Sequence, residues 1–237
     1  MGLTIHYTLS ARHLTSGTEA RGLVAQARVF ARESKADSVS ALMRVGPGFP
    51  RAREWLLIPH PGGETCVDVP LESGHVFTVV LGSDSEHLLL GLCRYPATVR
   101  HRGRELPTKL GEGWRLCSFC KTQYASLHGW EHFFRCHKTA IELLSFWRSL
   151  GVEVRISDEG GYWPRRSESA LRRNLDEMNG IVAAMSGALK DGAGGQSVES
   201  PIFQHPQFER LEAEGAQKQS RKMRQALEVI GKIARET

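Results

Sequence analysis

The sequence predicts an α+β domain: a single mixed or antiparallel sheet packed by two or three helices, with a C-terminal helical appendage. Three observations carry that expectation. Short alternating or continuous apolar runs recur through the first half of the chain, which is strand patterning. Two long segments after Gly129 hold apolar residues at helical spacing. The two kinds of element do not alternate strictly, which argues against a parallel sheet of βαβ units.

In order, TIHYTLS (4–10) alternates and is rich in β-branched and aromatic residues, so it is expected to be a strand. Ser16 or Thr18 can cap a helix to about Glu33, with Leu23, Val24, Ala27 and Phe30 on one face. Strands are expected at 37–44, 54–58, 75–82 and 87–93, and a hairpin in ATVRHRGRELPT turning at Arg102-Gly103. Residues 130–150 form a long helix stopped by Gly151. VEVRI (152–156) is a buried strand and SDEGGYWP (157–164) a turn. A helix from Ser167 brings Leu171, Leu175, Met178, Ile181, Met185 and Leu189 into register. The expected organisation is a domain over 1–191, a Gly/Ser/Pro linker over 192–206 and a charged helical tail over 207–237. The tail's apolar positions, Leu227, Ile230 and Ile233, are sparse, which suits a helix that docks loosely or contacts a partner protein.

Hydrophobic residues at 41% and charged residues at 24% are ordinary for a soluble globular protein and argue against global disorder. No apolar run approaches the roughly 20 residues that cross a bilayer, so no membrane partner is expected. The start, MGLTIHYTLSARHL, lacks a basic stretch followed by an apolar block, so no secretory signal is expected. His6 stands where a myristoylation signal after Gly2 wants Ser or Thr. Five cysteines without a signal suit free thiols and a cytoplasmic location. The net charge is +5, and residues 94–121 alone hold seven cations against Glu105 and Glu112. Such a patch is a solvated hairpin surface or an attractor for an anion or nucleic acid.

Chemistry is most concentrated in CSFCKTQYASLHGWEHFFRCH (117–137). Zinc takes four N or S ligands in a tetrahedron, and a C-x2-C turn followed by two ligands on a helix supplies them. His132 and Cys136, four apart, leave one helix face, so the candidate zinc set is Cys117, Cys120, His132 and Cys136. The stretch resembles a C2H2-type zinc finger, with Tyr124 and Trp130 near that family's aromatic and second core positions. It is one residue short between the second Cys and the first His, and has no linker to another finger. His137 falls at the centre of the apolar stripe, among Phe133, Phe134, Ala140, Ile141 and Leu144, where a buried hydrogen-bonded histidine is the simplest expectation. A thiol nucleophile would use Cys120 with His137 as base, Lys121 to lower the thiol pKa and Asp158 or Glu159 to orient the ring. Inert buried sulfur is the plainer alternative.

A ligand site is expected where the 94–121 hairpin, FCKTQYAS and SDEGGYW converge. Arg94, Lys121, Gln123 and Tyr124 would offer donors, and Tyr162 and Trp163 faces for a planar group. The paired glycines permit close approach of a ligand, although turn chemistry alone explains them.

The motifs IHYTLSA, GLCRYPA, FCKTQYAS, RCH and SDEGGYW together resemble a family of uncharacterised bacterial proteins, over most of residues 1–191 and not the tail. The resemblance implies no activity, ligand or fold. That family's pattern has no cysteine at the Cys117 position and Asn at the His132 position, so any zinc here would be private to this chain. The expected function is a binding module for an anionic or polar ligand. The alternatives are a zinc-stabilised module that binds nucleic acid and a Cys/His-dependent hydrolase or transferase.

Overall fold

The computed structural model describes residues 3–52, 54–60, 63–192 and 199–218. Its centre is a seven-stranded sheet made of β1 (Thr4–Ala11), β2 (Ser38–Val39), β3 (Met43–Val45), β6 (Ser73–Val80), β7 (Leu88–Arg94), β10 (Trp114–Lys121) and β11 (Glu153–Asp158). The order is β11-β1-β10-β7-β6-β2, with β3 also on β6, and every pairing is antiparallel. Two hairpins stand off it: β4 (Glu54–His60) with β5 (Gly63–Val69), and β8 (Thr98–His101) with β9 (Arg104–Pro107). The α+β class and the antiparallel sheet are as expected; the strand expected at 37–44 is two short pieces, and that at 54–58 belongs to a hairpin.

The helices are α1 (Gly17–Arg32), α2 (Trp130–Ser149), α3 (Glu168–Gly192) and α4 (Phe208–Lys218). Ser16 caps α1: its side chain accepts from the Glu19 amide while the Glu19 carboxylate reaches back, a reciprocal capping box. Gly151, at φ 77°, ends the last turn of α2 in the left-handed region. Strand alternation decides the sheet's two faces. Ile5, Tyr7 and Leu9 of β1 and Trp114, Leu116 and Cys120 of β10 are buried, and join Val24, Ala27, Phe133, Ile141 and Trp147 of α1 and α2 in one core. His6, Thr8, Cys117 and Phe119 point the other way, onto a face without helices.

The first half of α3 docks Leu171 and Leu175 into that core. Its second half holds a smaller cluster of Val182, Ala183 and Ile202, onto which Phe208 and Leu211 of α4 pack. Gly180 and Gly215 let the two helices touch: a Cβ on Gly215 would lie 2.0 Å from the Gly180 carbonyl oxygen. The rest of the expected tail helix, with Leu227, Ile230 and Ile233, and most of the Gly-rich linker lie outside the described residues. No helix among the described residues is long and apolar enough to cross a membrane.

Candidate functional site

Of the segments expected to converge, FCKTQYAS and SDEGGYW meet through His137 of α2, and the meeting point is sealed. Thr122 follows β10, His137 sits mid-way along α2 and Asp158 ends β11. His137 Nδ1 lies 2.8 Å from Thr122 Oγ1, and His137 Nε2 lies 3.2 Å from Asp158 Oδ1. The second contact is an ion-pair distance without hydrogen-bond alignment, so Nε2 lacks a well-formed hydrogen bond. Asp158 also accepts from the Gly160 amide at 2.8 Å and the Trp163 amide at 2.9 Å. Burial pushes the Asp158 carboxyl up, but His137 and the two amides outweigh it and hold the carboxyl below its ordinary value. Tyr162 meets the His137 ring edge-on at 6.1 Å. Gly160 packs so closely that a Cβ there would lie 3.0 Å from His137 Cε1 and 2.5 Å from Leu171 Cδ1. Thr122, His137 and the Asp158 side chain are all 0% exposed. Hydroxyl, imidazole and carboxylate stand in the order of a catalytic triad, yet no substrate reaches the hydroxyl. The network ties β10, α2 and β11 together.

Cys120 is not the partner of His137. Its Sγ donates to the Glu86 carbonyl at 3.2 Å, and burial pushes the thiol up to about 12, which removes thiolate character at neutral pH. His137 Nδ1 is taken by Thr122 and Nε2 faces Asp158, so neither nitrogen faces the thiol. The nucleophile role expected of Cys120 is therefore corrected, while the expected His137–Asp158 contact is present.

The zinc quartet is not assembled either. Cys117 and Cys120 lie on β10 and not on a turn. Three positions apart on a strand, they point to opposite faces: Cys117 is exposed and Cys120 buried. Cys136 Sγ donates to the Leu81 carbonyl at 3.4 Å, and His132 Nε2 donates to the Ser83 carbonyl at 3.1 Å. Cys120, Cys136 and His132 thus each bind a different carbonyl of the 81–86 loop instead of a common centre. No group of three or more His, Cys, Asp or Glu among the described residues could hold a metal ion.

The expected ligand residues also separate. Gln123 is buried: its Oε1 accepts from the Leu3 amide at 3.0 Å and its Nε2 donates to Asn179 Oδ1 at 2.8 Å. Arg94 is held by Glu72 at 3.5 Å, one residue beyond the Cys93–Arg115 pairing. Lys121 lies six positions along β10 from Arg115, roughly 20 Å away at about 3.3 Å per residue. Tyr124 is half-buried, and burial, then the Glu86 charge, raises its pKa. Tyr162 is buried against His137 and Phe134, and Trp163 stacks under Arg148 and Arg166 at 4.8 and 5.0 Å. These six residues do not form one wall.

The open cavity lies on the opposite face of the sheet. A groove of about 990 Å³ is floored by β1, β10 and β11, and walled by Pro50, Arg51 and Trp55 and by Ser85, Glu86 and His87. Phe119, on a central strand, is 53% exposed, with its ring 6.1 Å from that of His6; Trp55 of β4 is 59% exposed. Arg51 and Arg155 bring positive charge, Arg51 anchored on the His87 carbonyl at 2.9 Å and Arg155 beside Glu153 at 2.8 Å. The β4–β5 hairpin is held to the sheet by Glu54–Arg115, 2.9 Å apart. Burial raises the Glu54 pKa despite the guanidinium. Phe119, Trp55, Arg51 and Arg155 were not singled out in the sequence, although the alternation in TIHYTLS already sets His6 and Thr8 apart from Ile5, Tyr7 and Leu9.

Fold and groove together define an α+β domain whose antiparallel sheet is helix-packed on one side and partly open on the other. No family model, no curated protein and no solved structure matches the chain.

Proposed function

We propose that the protein is a binding module for an anionic ligand that carries a planar group, and that this ligand lies in the groove on the open face of the sheet. The observation that carries the reading is Phe119: a large ring, 53% exposed, on a central strand, facing a groove that Trp55 overhangs. Aromatic surface in such a place costs free energy unless a ligand covers it. A planar ring stacks on Phe119, His6 or Trp55, while Arg51 and Arg155 face its negative charge. The free thiols support a cytoplasmic setting.

A nucleotide or a single-stranded nucleic acid supplies both a base and a phosphate, and the net charge of +5 favours either. The test titrates wild type, Phe119→Ala and Trp55→Ala with adenosine monophosphate and with a short single-stranded RNA. Saturable binding should weaken about tenfold in each variant, since stacking on one aromatic is worth about 1–3 kcal/mol. Binding of neither probe up to millimolar concentration, or binding indifferent to both substitutions, would remove the groove from consideration.

A further inference from the structure

A second cavity, of about 520 Å³, opens on the helix-packed side, where the start of α1 meets β3 and β6. His75 of β6 and Arg44 of β3 are cross-strand partners, so both side chains leave the same face. Arg21 enters from α1, on the helix face shared with Gly17 and Thr18. The His75 ring stacks at 6.2 Å and 22° on Trp114, which is nearly buried and fixes that wall.

Three basic side chains therefore converge without an acid between them. Burial lowers the His75 pKa, and the charges of Arg21 and Arg44 lower it further; no carboxylate acts in the other direction. Three other arginines of the sheet and its helices do meet a carboxylate: Arg94, opposite Ser73 at this same edge, meets Glu72 at 3.5 Å, Arg115 meets Glu54 at 2.9 Å and Arg135 meets Asp37 at 3.1 Å. No hydrogen bond or ion pair occupies Arg21 or Arg44 among the described residues. Arg21 and Arg44 bring two like charges to one cavity, and an anion between them would offset their repulsion. The first amides of α1 have no intrahelical acceptor, and the hydroxyls of Thr18 and Ser73 line the same cavity.

We infer that this cavity is a phosphate site, taking inorganic phosphate or a small phosphate monoester between Arg21, Arg44 and His75. It is separate from the groove and stands whether or not the groove binds a ligand. The experiment is calorimetric titration of the full chain at low ionic strength with inorganic phosphate and, separately, with glycerol phosphate. Wild type, Arg21→Gln, Arg44→Gln and Arg44→Lys are compared with Arg100→Gln, which removes a surface cation from the β8–β9 hairpin. One saturable site is expected, weakened at least tenfold in Arg21→Gln and Arg44→Gln, less in Arg44→Lys, and unchanged in Arg100→Gln. A tighter glycerol phosphate assigns a monoester, and a tighter inorganic phosphate the free ion. No saturation with either, or an equal loss in Arg100→Gln, overturns the site by showing only diffuse attraction to a basic protein. Arg21 and Arg44 are exposed, and matching thermal melts of all variants exclude misfolding as the cause.

Discussion

His137 and Asp158 stand 3.2 Å apart with neither side chain reaching solvent, and they close the crevice that the sequence suggests at this point. Removing one member of a buried pair leaves the other uncompensated, at about 3–5 kcal/mol. Asp158→Asn keeps the shape and should cost about 3 kcal/mol at pH 7 by chemical denaturation. The Asp158 carboxyl is held below its ordinary value in the folded protein. Its contribution is then complete above the unfolded value, about 3.9, and is lost as pH falls through the folded value. The gap between wild type and variant should accordingly be flat near neutrality and narrow below about pH 4. A gap that widens on acidification would contradict a stabilising Asp158 carboxylate.

Gly160 packs against the same network. With Leu171 Cδ1 2.5 Å and Asp158 Oδ1 3.0 Å from an added Cβ, Gly160→Ala overfills a closed site. A loss of roughly 1–3 kcal/mol is expected by denaturation, within the usual range for overpacking. A neutral result would mean that the turn after β11 yields freely.

The five cysteines should divide by burial. Cys66 and Cys117 are exposed, and Cys93, Cys120 and Cys136 are buried. Burial pushes both the Cys93 and Cys120 thiols up to about 12. Iodoacetamide at pH 7.5 followed by peptide mapping should label Cys66 and Cys117 in the native protein, and the other three only after unfolding. Fast native labelling of Cys120 would restore it as a nucleophile.

Gly215→Val should detach α4. The contact with the Gly180 carbonyl admits no side chain, and α4 packs on the second half of α3, outside the main core. Limited proteolysis should cut within 199–218 at least several-fold faster, with the main thermal transition little changed. Equal protection in the two proteins would show that the helices do not rely on this close approach.

Phe119→Ala and Trp55→Ala should leave stability within about 0.5 kcal/mol of wild type, since both side chains face solvent. A melt lowered by several degrees would mean that these rings hold the β4–β5 hairpin in place and are not kept for a ligand.

Much of this fold is local and was legible in the chain. The Ser16 cap, the stop at Gly151, the alternation of TIHYTLS and the stripe around His137 follow from propensity and period, which act over a few residues. The core position of His137 was legible for the same reason, whereas the choice of Asp158 over Glu159 as its neighbour was left open and is made by the tertiary packing of β11 against α2. WRLCSFCK was not: C-x2-C fits both a metal-binding turn and a strand, and nothing within eight residues separates them. Partners far away in the chain settle it, because Thr4–Ala11 pairs with the whole of Trp114–Lys121, and that pairing sends Cys117 and Cys120 to opposite faces. The groove is likewise built from Arg51, Trp55, Phe119 and Arg155, and the phosphate cavity from Arg21, Arg44 and His75, residues that meet only after strands pair across the chain. The sequence by itself determined the α+β class and the buried stripes of its long helices and alternating strands, because those follow local periodicity. The tertiary structure alone decided where the openings are, because an opening is space left between segments that no local pattern relates.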